Sequence, residues 1–355
     1  MIPSLDNKET PPPRHGLPNF VDIYDYFGLD DLDILYSDFE LKPELSQLHK
    51  LRVLTQRISD AFMDFSDSIG ISEMGSKMQE CGKNIGFDSD GKIVSADFCR
   101  LRFCPMCQKR RSLKVYARFC EILDLLDDKA FLHLVLTCPN TDASNLNKTI
   151  DNLFLASSAL FKLEPVSKAF LGVARVLEVS YNPDRSEQKY HPHLHCLVCV
   201  NKSYFTSRSY LKRETLQRYW KALFDTYANG FNPKKNPKFG LVSSMAAAYD
   251  KKELYQVYIS KADKGALPEI AKYTLKPLDI RGDIKDYVHI IEELYPAMHN
   301  RRAIQLYGII RTVAKAETLT GDEPEQANKC SFAFRWSYTR DINRYSYLRA
   351  DVASC

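Results

Sequence analysis

A chain of 355 residues with 45% hydrophobic and 26% charged residues can bury a sizeable core and is long enough for two or three domains. Its net charge is only +4, which excludes a chain-wide basic coat, so any nucleic-acid surface has to be local. No apolar run of about 18 residues occurs, so no membrane span is expected. Residues Met1–Asp6 lack the charged-then-apolar order of a signal peptide, which predicts a cytoplasmic protein. Ten cysteines in such a chain point to metal binding or buried thiols rather than disulfides.

Residues 1–40, with Pro11, Pro12 and Pro13, are expected to be a disordered or irregular N-terminal arm. Leu45, Leu48, Leu51, Leu54, Ile58 and Phe62 recur with a helical period and predict an amphipathic packing helix over 41–66. That helix opens a helical, cysteine-rich zinc-binding region over 41–125. Its Cys104-Pro105-Met106-Cys107 is a C-x-x-C knuckle, which supplies two thiolates from one tight turn. Cys99 and Cys81 can complete a tetrahedral set of soft ligands for a structural Zn²⁺. The alternatives are a redox pair or unligated buried thiols. Directly after the knuckle come Lys109, Arg110, Arg111 and Lys114. They form either a solvated helix face or cations held beside the zinc module for DNA phosphates.

Residues 130–137 read as a buried strand ending at Pro139-Asn140, residues 146–162 as a helix and residues 173–182 as a second strand. A polar loop opens at Asn182-Pro183-Asp184. Then comes Tyr190-His191-Pro192-His193-Leu194-His195-Cys196-Leu197-Val198, with three of the eight histidines. On a strand, His193 and His195 project to one face, about 6–7 Å apart. That spacing suits two imidazoles converging on a metal ion, and equally a satisfied pair at a strand edge. If the two strands form a hairpin, symmetric pairing sets Glu178 opposite His193 on the same face. Glu178 is then either a third member of the group or a solvated carboxylate.

Residues 209–227 predict a helix with Leu216, Trp220 and Leu223 inward and Lys212, Arg213, Arg218 and Lys221 on its polar side. Lys234, Lys235 and Lys238 fall in a loop, and residues 239–260 read as strand-like. Residues 265–277 are expected to hold one short helix, with Pro268 in its first turn and Pro277 limiting its end. Glu269, Tyr273 and Lys276 are spaced i, i+4, i+7 and share a face of it. A helical tyrosine is ordinarily half-buried packing, but one between a carboxylate and an ammonium is a candidate for chemistry. Residues 126–315 are expected to form the core unit, and residues 316–355 a linker and an aromatic and basic C-terminal segment. Within that segment Phe332, Phe334, Trp336 and Tyr338 alternate, accompanied by Arg335, Arg340, Arg344 and Arg349. They make either an edge strand packed on the core or a surface that stacks on unpaired bases.

A strand with two histidines, a nearby carboxylate and a later helix presenting a tyrosine are the parts of a phosphodiester transesterification. A metal on His193 and His195 can polarise a phosphoryl oxygen, and the Tyr273 phenol can attack the phosphorus. Glu269 can activate water to clear the resulting adduct.

In this order of parts the sequence resembles the rolling-circle plasmid replication initiators of the HUH endonuclease superfamily, those with one catalytic tyrosine. The resemblance is carried by Phe98–Cys107 with Arg110–Lys114, Phe131–Asn140, Leu177–Asn182 with His191–Val198, and Glu269–Lys276. It implies an α+β fold with an antiparallel five-stranded sheet flanked by helices, here joined to a small cysteine-rich zinc module. Carried over by motif, His193 and His195 hold a divalent metal, Mg²⁺ or Mn²⁺, to which the pairing argument adds Glu178. Tyr273 is the nucleophile, Glu269 lets termination proceed through hydrolysis, and Lys276 lies beside them. The partner implied is plasmid origin DNA, as duplex or hairpin and as single strand, together with a host helicase and polymerase. The product is a 5′-phosphotyrosine and a free 3′-OH primer. Val135 departs from the small polar residue common in the family's first strand motif. The alternatives are a transposase or relaxase of the same superfamily and a non-catalytic zinc-containing DNA-binding regulator. Relaxases usually carry the tyrosine before the histidines, and transposases rarely carry this cysteine block.

Overall fold

The computed structural model describes residues 42–88, 93–182, 184–271, 284–320, 332–338 and 343–348. The chain opens with α1 (Lys42–Phe65), α2 (Ile69–Gln79), β1 (Asn84–Phe87), β2 (Ile93–Ala96) and α3 (Pro105–Leu125). Next come β3 (Lys129–Thr137), α4 (Ala143–Lys162), α5 (Glu164–Ala169), β4 (Gly172–Tyr181) and β5 (Tyr190–Asn201). They are followed by α6 (Arg213–Ala228), α7 (Phe239–Ala248), β6 (Val257–Ala262), α8 (Leu267–Ala271) and α9 (Ile284–Met298). The last elements are β7 (Ile304–Tyr307), α10 (Gly308–Thr320), β8 (Phe332–Tyr338) and β9 (Asn343–Leu348). No described helix is long and apolar enough to cross a membrane.

Five strands form one antiparallel sheet in the order β6-β3-β5-β4-β7, flanked by helices on both faces. The fold is therefore the α+β architecture expected. Its central strand, β5, is buried almost throughout, which explains the apolar run from Leu194 to Val200. One face presents Leu132, Leu134, Leu136, Leu177, Leu194 and Val198 to the cores of α4 and α6. On this side the Trp220 indole N–H donates to the Thr137 carbonyl at 2.6 Å, pinning the end of β3. The other face carries Phe131, Ala174, Val176, Leu197 and Cys199, which pack with Phe119 and Ile122 of α3, Leu267 and Ile270 of α8, and Ile310 of α10. Gly308 sits at φ +56°, and a Cβ there would lie 2.1 Å from the Leu171 carbonyl oxygen. Only glycine lets the chain turn from β7 into α10 this close to β4.

Cys81, Cys99, Cys104 and Cys107 face one another around the start of α3. Cys104 Sγ lies 3.4 Å from Cys81 Sγ, and Cys107 Sγ lies 3.6 Å from both Cys81 and Cys99. All four sulfurs fall within 4.8 Å of one another, so the group could hold a metal ion. Sulfurs around one zinc stand about 3.8 Å apart, from Zn–S bonds of about 2.3 Å and tetrahedral angles. Backbone turns complete the pocket. Arg100, at φ +59°, aims its N–H at Cys107 Sγ (3.2 Å), and the Cys99 N–H points at Cys81 Sγ (3.5 Å). Hydrogen bonds from Cys104, Cys81 and Cys99 draw the Cys107 thiol well below its ordinary range. Cys104 is the residue just before α3, and Pro105 fills the first helical position, where its missing N–H costs nothing. The knuckle thus fixes the start of a helix whose far end packs on the sheet.

Three expectations need correction. Residues 239–260 are not strand-like throughout: Phe239–Ala248 is helix α7, with Val242 and Ala246 buried one turn apart, and only Val257–Ala262 is a strand. Met245 and the alanines favour the helix, and α6 supplies its packing partner. The acidic linker read from residue 316 onward begins in fact inside α10, which runs to Thr320. The C-terminal aromatics do not form an edge strand, because β8 lies inside a second sheet of order β2-β1-β8-β9. Phe334 and Trp336 are 1% and 3% exposed, and Trp336 meets His49 of α1 edge-on at 5.0 Å, so neither ring is free to stack on a base.

Cys104 belongs to the same buried cluster as β1 and α1. Cys104→Ser is therefore expected to lower the melting temperature by roughly 5 °C, the loss of a few kcal/mol at the cluster. A strong chelator should reproduce the change in wild type but add nothing to the variant, as read by scanning calorimetry.

Candidate active site

Strand β4 pairs with β5 in a register that sets Glu178 opposite His193 and Val176 opposite His195. On the other side of β5, β3 sets Thr137 opposite His193 and Val135 opposite His195. Paired residues share a face, so Glu178, His193 and His195 converge beyond the end of the apolar cluster. His193 Nε2 lies 3.1 Å, and His195 Nε2 2.9 Å, from the same oxygen, Glu178 Oε2. The other oxygen, Oε1, accepts a hydrogen bond from Ser180 Oγ at 3.2 Å. Glu178 is 1% exposed. Burial alone would push its carboxyl up, but the charge of His193 and the hydrogen bonds from His193 and His195 outweigh it and hold the group well below the carboxylate range. An ionised carboxylate is thus kept inside the protein by two imidazoles.

The imidazoles continue as a row on this face. Ring centroids are 5.2 Å apart for His191 and His193, and 5.1 Å for His193 and His195. His133 of β3 stacks on His195 at 5.3 Å and 22°. His193 Nδ1 stands 3.1 Å from the His191 carbonyl, to which it can only donate; Nε2 donates to Glu178 while the ring is protonated, and offers a lone pair once the ring gives up that proton to ligate a cation. His195 Nδ1 lies 3.0 Å from His133 Nε2. If His195 Nε2 is to ligate a cation, its Nδ1–H must donate and His133 must accept. Burial, and after it the neighbouring His195, lowers the pKa of His133 to about 4, so a neutral acceptor is available. The ligand atoms of Glu178, His193 and His195 lie within 4.8 Å of one another, so this group too could hold a metal ion. Three protein donors, two nitrogens and one oxygen, leave positions for a substrate oxygen.

The family described as "Replication protein" matches residues 90–341. This chain belongs to that replication-protein family. Among its curated relatives, the "Protein rep" of Streptococcus pneumoniae serotype 2 is 28% identical over 282 residues, covering 77% of this chain and 80% of the relative. A "Protein rep" from a Bacillus species is 29% identical over 252 residues, covering 67% and 79%. Another, from Bacillus amyloliquefaciens, is 28% identical over 250 residues, covering 67% and 71%. No solved structure gives a significant match.

The family match takes in β4, β5 and α8 together with Cys99, Cys104 and Cys107, while Cys81 precedes it. Of the residues singled out in the sequence, Tyr273 and Lys276 lie outside the described residues. Glu269 falls in α8, and its side chain is not described. Leu267 and Ile270 are buried against Val176 and Leu197, the neighbours of His195 on its face, and Ser112 Oγ of α3 donates to the Ala271 carbonyl at 3.1 Å. Among the basic residues, the Arg110 guanidinium lies over the Phe98 ring at 4.6 Å, and Arg111 donates to the Arg100 carbonyl at 3.3 Å. Both contacts brace the knuckle, while Lys114 is exposed and Lys109 partly so.

His133 is the residue that sequence reasoning missed. The sequence marks it only as a histidine two residues before Val135, on one face with it; that its strand lies beside the histidine strand comes from the sheet. His133→Phe keeps the aromatic stack and removes the acceptor. Loss of such outer hydrogen bonds typically costs 10–100-fold in metal affinity. Calorimetric titration with Mn²⁺ should show a loss of roughly that size for His133→Phe, and a smaller one for His133→Gln, which retains an acceptor. Equal affinities for all three proteins would make His133 a packing residue only.

Proposed function

We propose that this replication protein initiates and terminates rolling-circle replication of a plasmid. It nicks one strand at the double-strand origin by attack of Tyr273, leaving a 5′-phosphotyrosine and a free 3′-OH primer. The observation that carries this reading is the convergence of Glu178, His193 and His195 on one point of a sheet face, with α8 packed on the same face just ahead of Tyr273.

The donor set fits a divalent cation. Mixed nitrogen and oxygen ligands with open positions suit Mn²⁺ or Mg²⁺, and the three ligand atoms already face one point, where a cation would take the place of the imidazole protons. Such a cation supplies Lewis acidity at a non-bridging oxygen of the scissile phosphate. Everything else is the work of the chain. The Tyr273 oxygen forms a bond to phosphorus, the bond to the 3′ oxygen breaks, and the phenolic proton is in balance on the departing 3′-OH. The phosphoester energy is retained in the protein–DNA link. Lys276, three residues on, is proposed to bring an ammonium near the phosphate charge. Glu269, four residues before Tyr273, takes a proton from water when the link is cleared. The four-cysteine group fits a structural Zn²⁺, and Lys109, Arg110, Arg111 and Lys114 are proposed to bring cations to the DNA beside it.

A labelled oligonucleotide carrying the nick strand of the cognate origin should form a covalent adduct with wild type that survives denaturation. Tyr273→Phe should form none yet still bind the origin duplex. An adduct with the variant would assign the nucleophile to another tyrosine. Absence of any adduct with wild type in Mn²⁺ would favour a binding protein without catalysis.

Glu269→Gln is expected to nick normally but to release its covalent DNA roughly 10²–10⁴-fold more slowly, the usual worth of general-base assistance. A plasmid with two tandem origins reads this out as over-run of the second. Termination at the wild-type level would remove Glu269 from the release step.

A further inference from the structure

His191 heads the row of imidazoles but differs from the next two in where its proton must sit. The Asn140 side chain, three residues past the end of β3, stands between His191 and Arg185. Only one orientation of its amide satisfies both neighbours. In it the amide N–H donates to His191 Nδ1 at 2.7 Å, and the amide oxygen accepts from Arg185 Nη1 and Nη2 at 2.5 and 3.0 Å. Accepting at Nδ1 leaves the His191 proton on Nε2. His193 is the reverse, because its Nδ1–H donates to the His191 carbonyl and only Nε2 is left to ligate a cation.

With a cation on the site, two neighbouring rings on one strand face, 5.2 Å apart, therefore present opposite chemistry: a lone pair from His193 and an N–H from His191. A cation ligand needs the lone pair, so His191 is unsuited to the metal set, and it stands outside the group formed by Glu178, His193 and His195. The neighbouring acceptors are already engaged. Glu178 Oε2 faces His193 and His195, and Oε1 accepts from Ser180, the cross-strand partner of His191. Among the described residues no hydrogen bond engages His191 Nε2. Arg185, exposed on the β4–β5 loop, adds positive charge on the far side of Asn140.

We propose that His191 is a phosphate-binding donor of this site: its Nε2–H, held in place by Asn140, bonds a non-bridging oxygen of one DNA backbone phosphate beside the cation centre. The inference rests on the nicking function proposed above. It adds a subsite that selects an anionic oxygen next to the scissile bond and tells the first histidine of His191-Pro192-His193-Leu194-His195 apart from the other two.

The experiment uses the origin oligonucleotide that wild type cleaves, in versions that replace one phosphate near the nick by an uncharged methylphosphonate. Binding is measured by fluorescence anisotropy in Mn²⁺, with Tyr273→Phe as the background so that no adduct forms. One replacement should weaken binding about tenfold when His191 is present, the usual size for a hydrogen bond to a charged group. The same replacement should cost almost nothing further in His191→Phe. His191→Gln, whose amide N–H can take the place of Nε2–H, should keep the sensitivity. Losses in His191→Phe that simply add to those of every replacement would overturn the proposal. So would a tenfold or greater loss of Mn²⁺ affinity in His191→Phe without DNA, which would make His191 a ligand. Failure of the nicking function itself is seen separately, as an oligonucleotide that wild type does not cleave at all.

Discussion

The ladder between β4 and β5 runs unbroken from Gly172 opposite Cys199 to Tyr181 opposite Tyr190, and this register sets Glu178 across from His193. A slip of one residue would turn Glu178 to the face packed by α4 and α6 and strand a carboxylate among leucines. The register is held at both ends of the hairpin. Near the loop, the Tyr181 and Tyr190 rings meet at 5.2 Å, and the Tyr190 hydroxyl donates to Glu293 of α9. Farther along β4, Arg175 lies over the Phe154 ring at 3.8 Å and donates to Ser157 Oγ at 3.1 Å, both on α4. These contacts lie on the face away from the histidines, so the core side of the sheet fixes the geometry of the active side.

A carboxylate as buried as Glu178 is costly unless it is paired and hydrogen-bonded. Here two imidazoles and a serine hydroxyl compensate it. The same arrangement keeps both Nε2 atoms turned toward one point, which is the preorganisation a cation site needs. The cysteine group enters through α3. That helix starts at the knuckle, reaches the cluster that contains Val176 and Leu197, and holds the end of α8 through Ser112. The two candidate metal groups are thus linked by one helix, the first by setting its start and the second by sharing the sheet face at its end.

Much of this was legible in the sequence because it is local. The period of two in His191-Pro192-His193-Leu194-His195 fixes a common face, and a short loop between two strands fixes which residue stands opposite which. That is why Glu178 could be placed from its spacing alone. The C-x-x-C turn is equally local, and Cys99 and Cys81 lie close enough in sequence to join it. Contacts between distant segments were not legible. His133 meets His195 through a strand pairing set by the whole sheet, and β8 joins β1 across most of the chain. Helix α7 is not marked by its sequence, because Leu241, Val242 and Met245 suit either structure and only packing on α6 decides. Asn140 was visible only as the end of a strand. Its part in orienting His191 depends on a loop arginine that no periodicity marks.

The central claim is that a register-set trio, Glu178, His193 and His195, holds one divalent cation on the sheet face while the four cysteines hold a different one. Anomalous diffraction from crystals grown with Mn²⁺ and collected at both the manganese and the zinc edges tests it directly. The account predicts one manganese peak within bonding distance of His193 Nε2, His195 Nε2 and Glu178 Oε2, and one zinc peak among the sulfurs of Cys81, Cys99, Cys104 and Cys107. A manganese peak elsewhere, or none on the sheet face with the Glu178–histidine contacts unchanged, would contradict it.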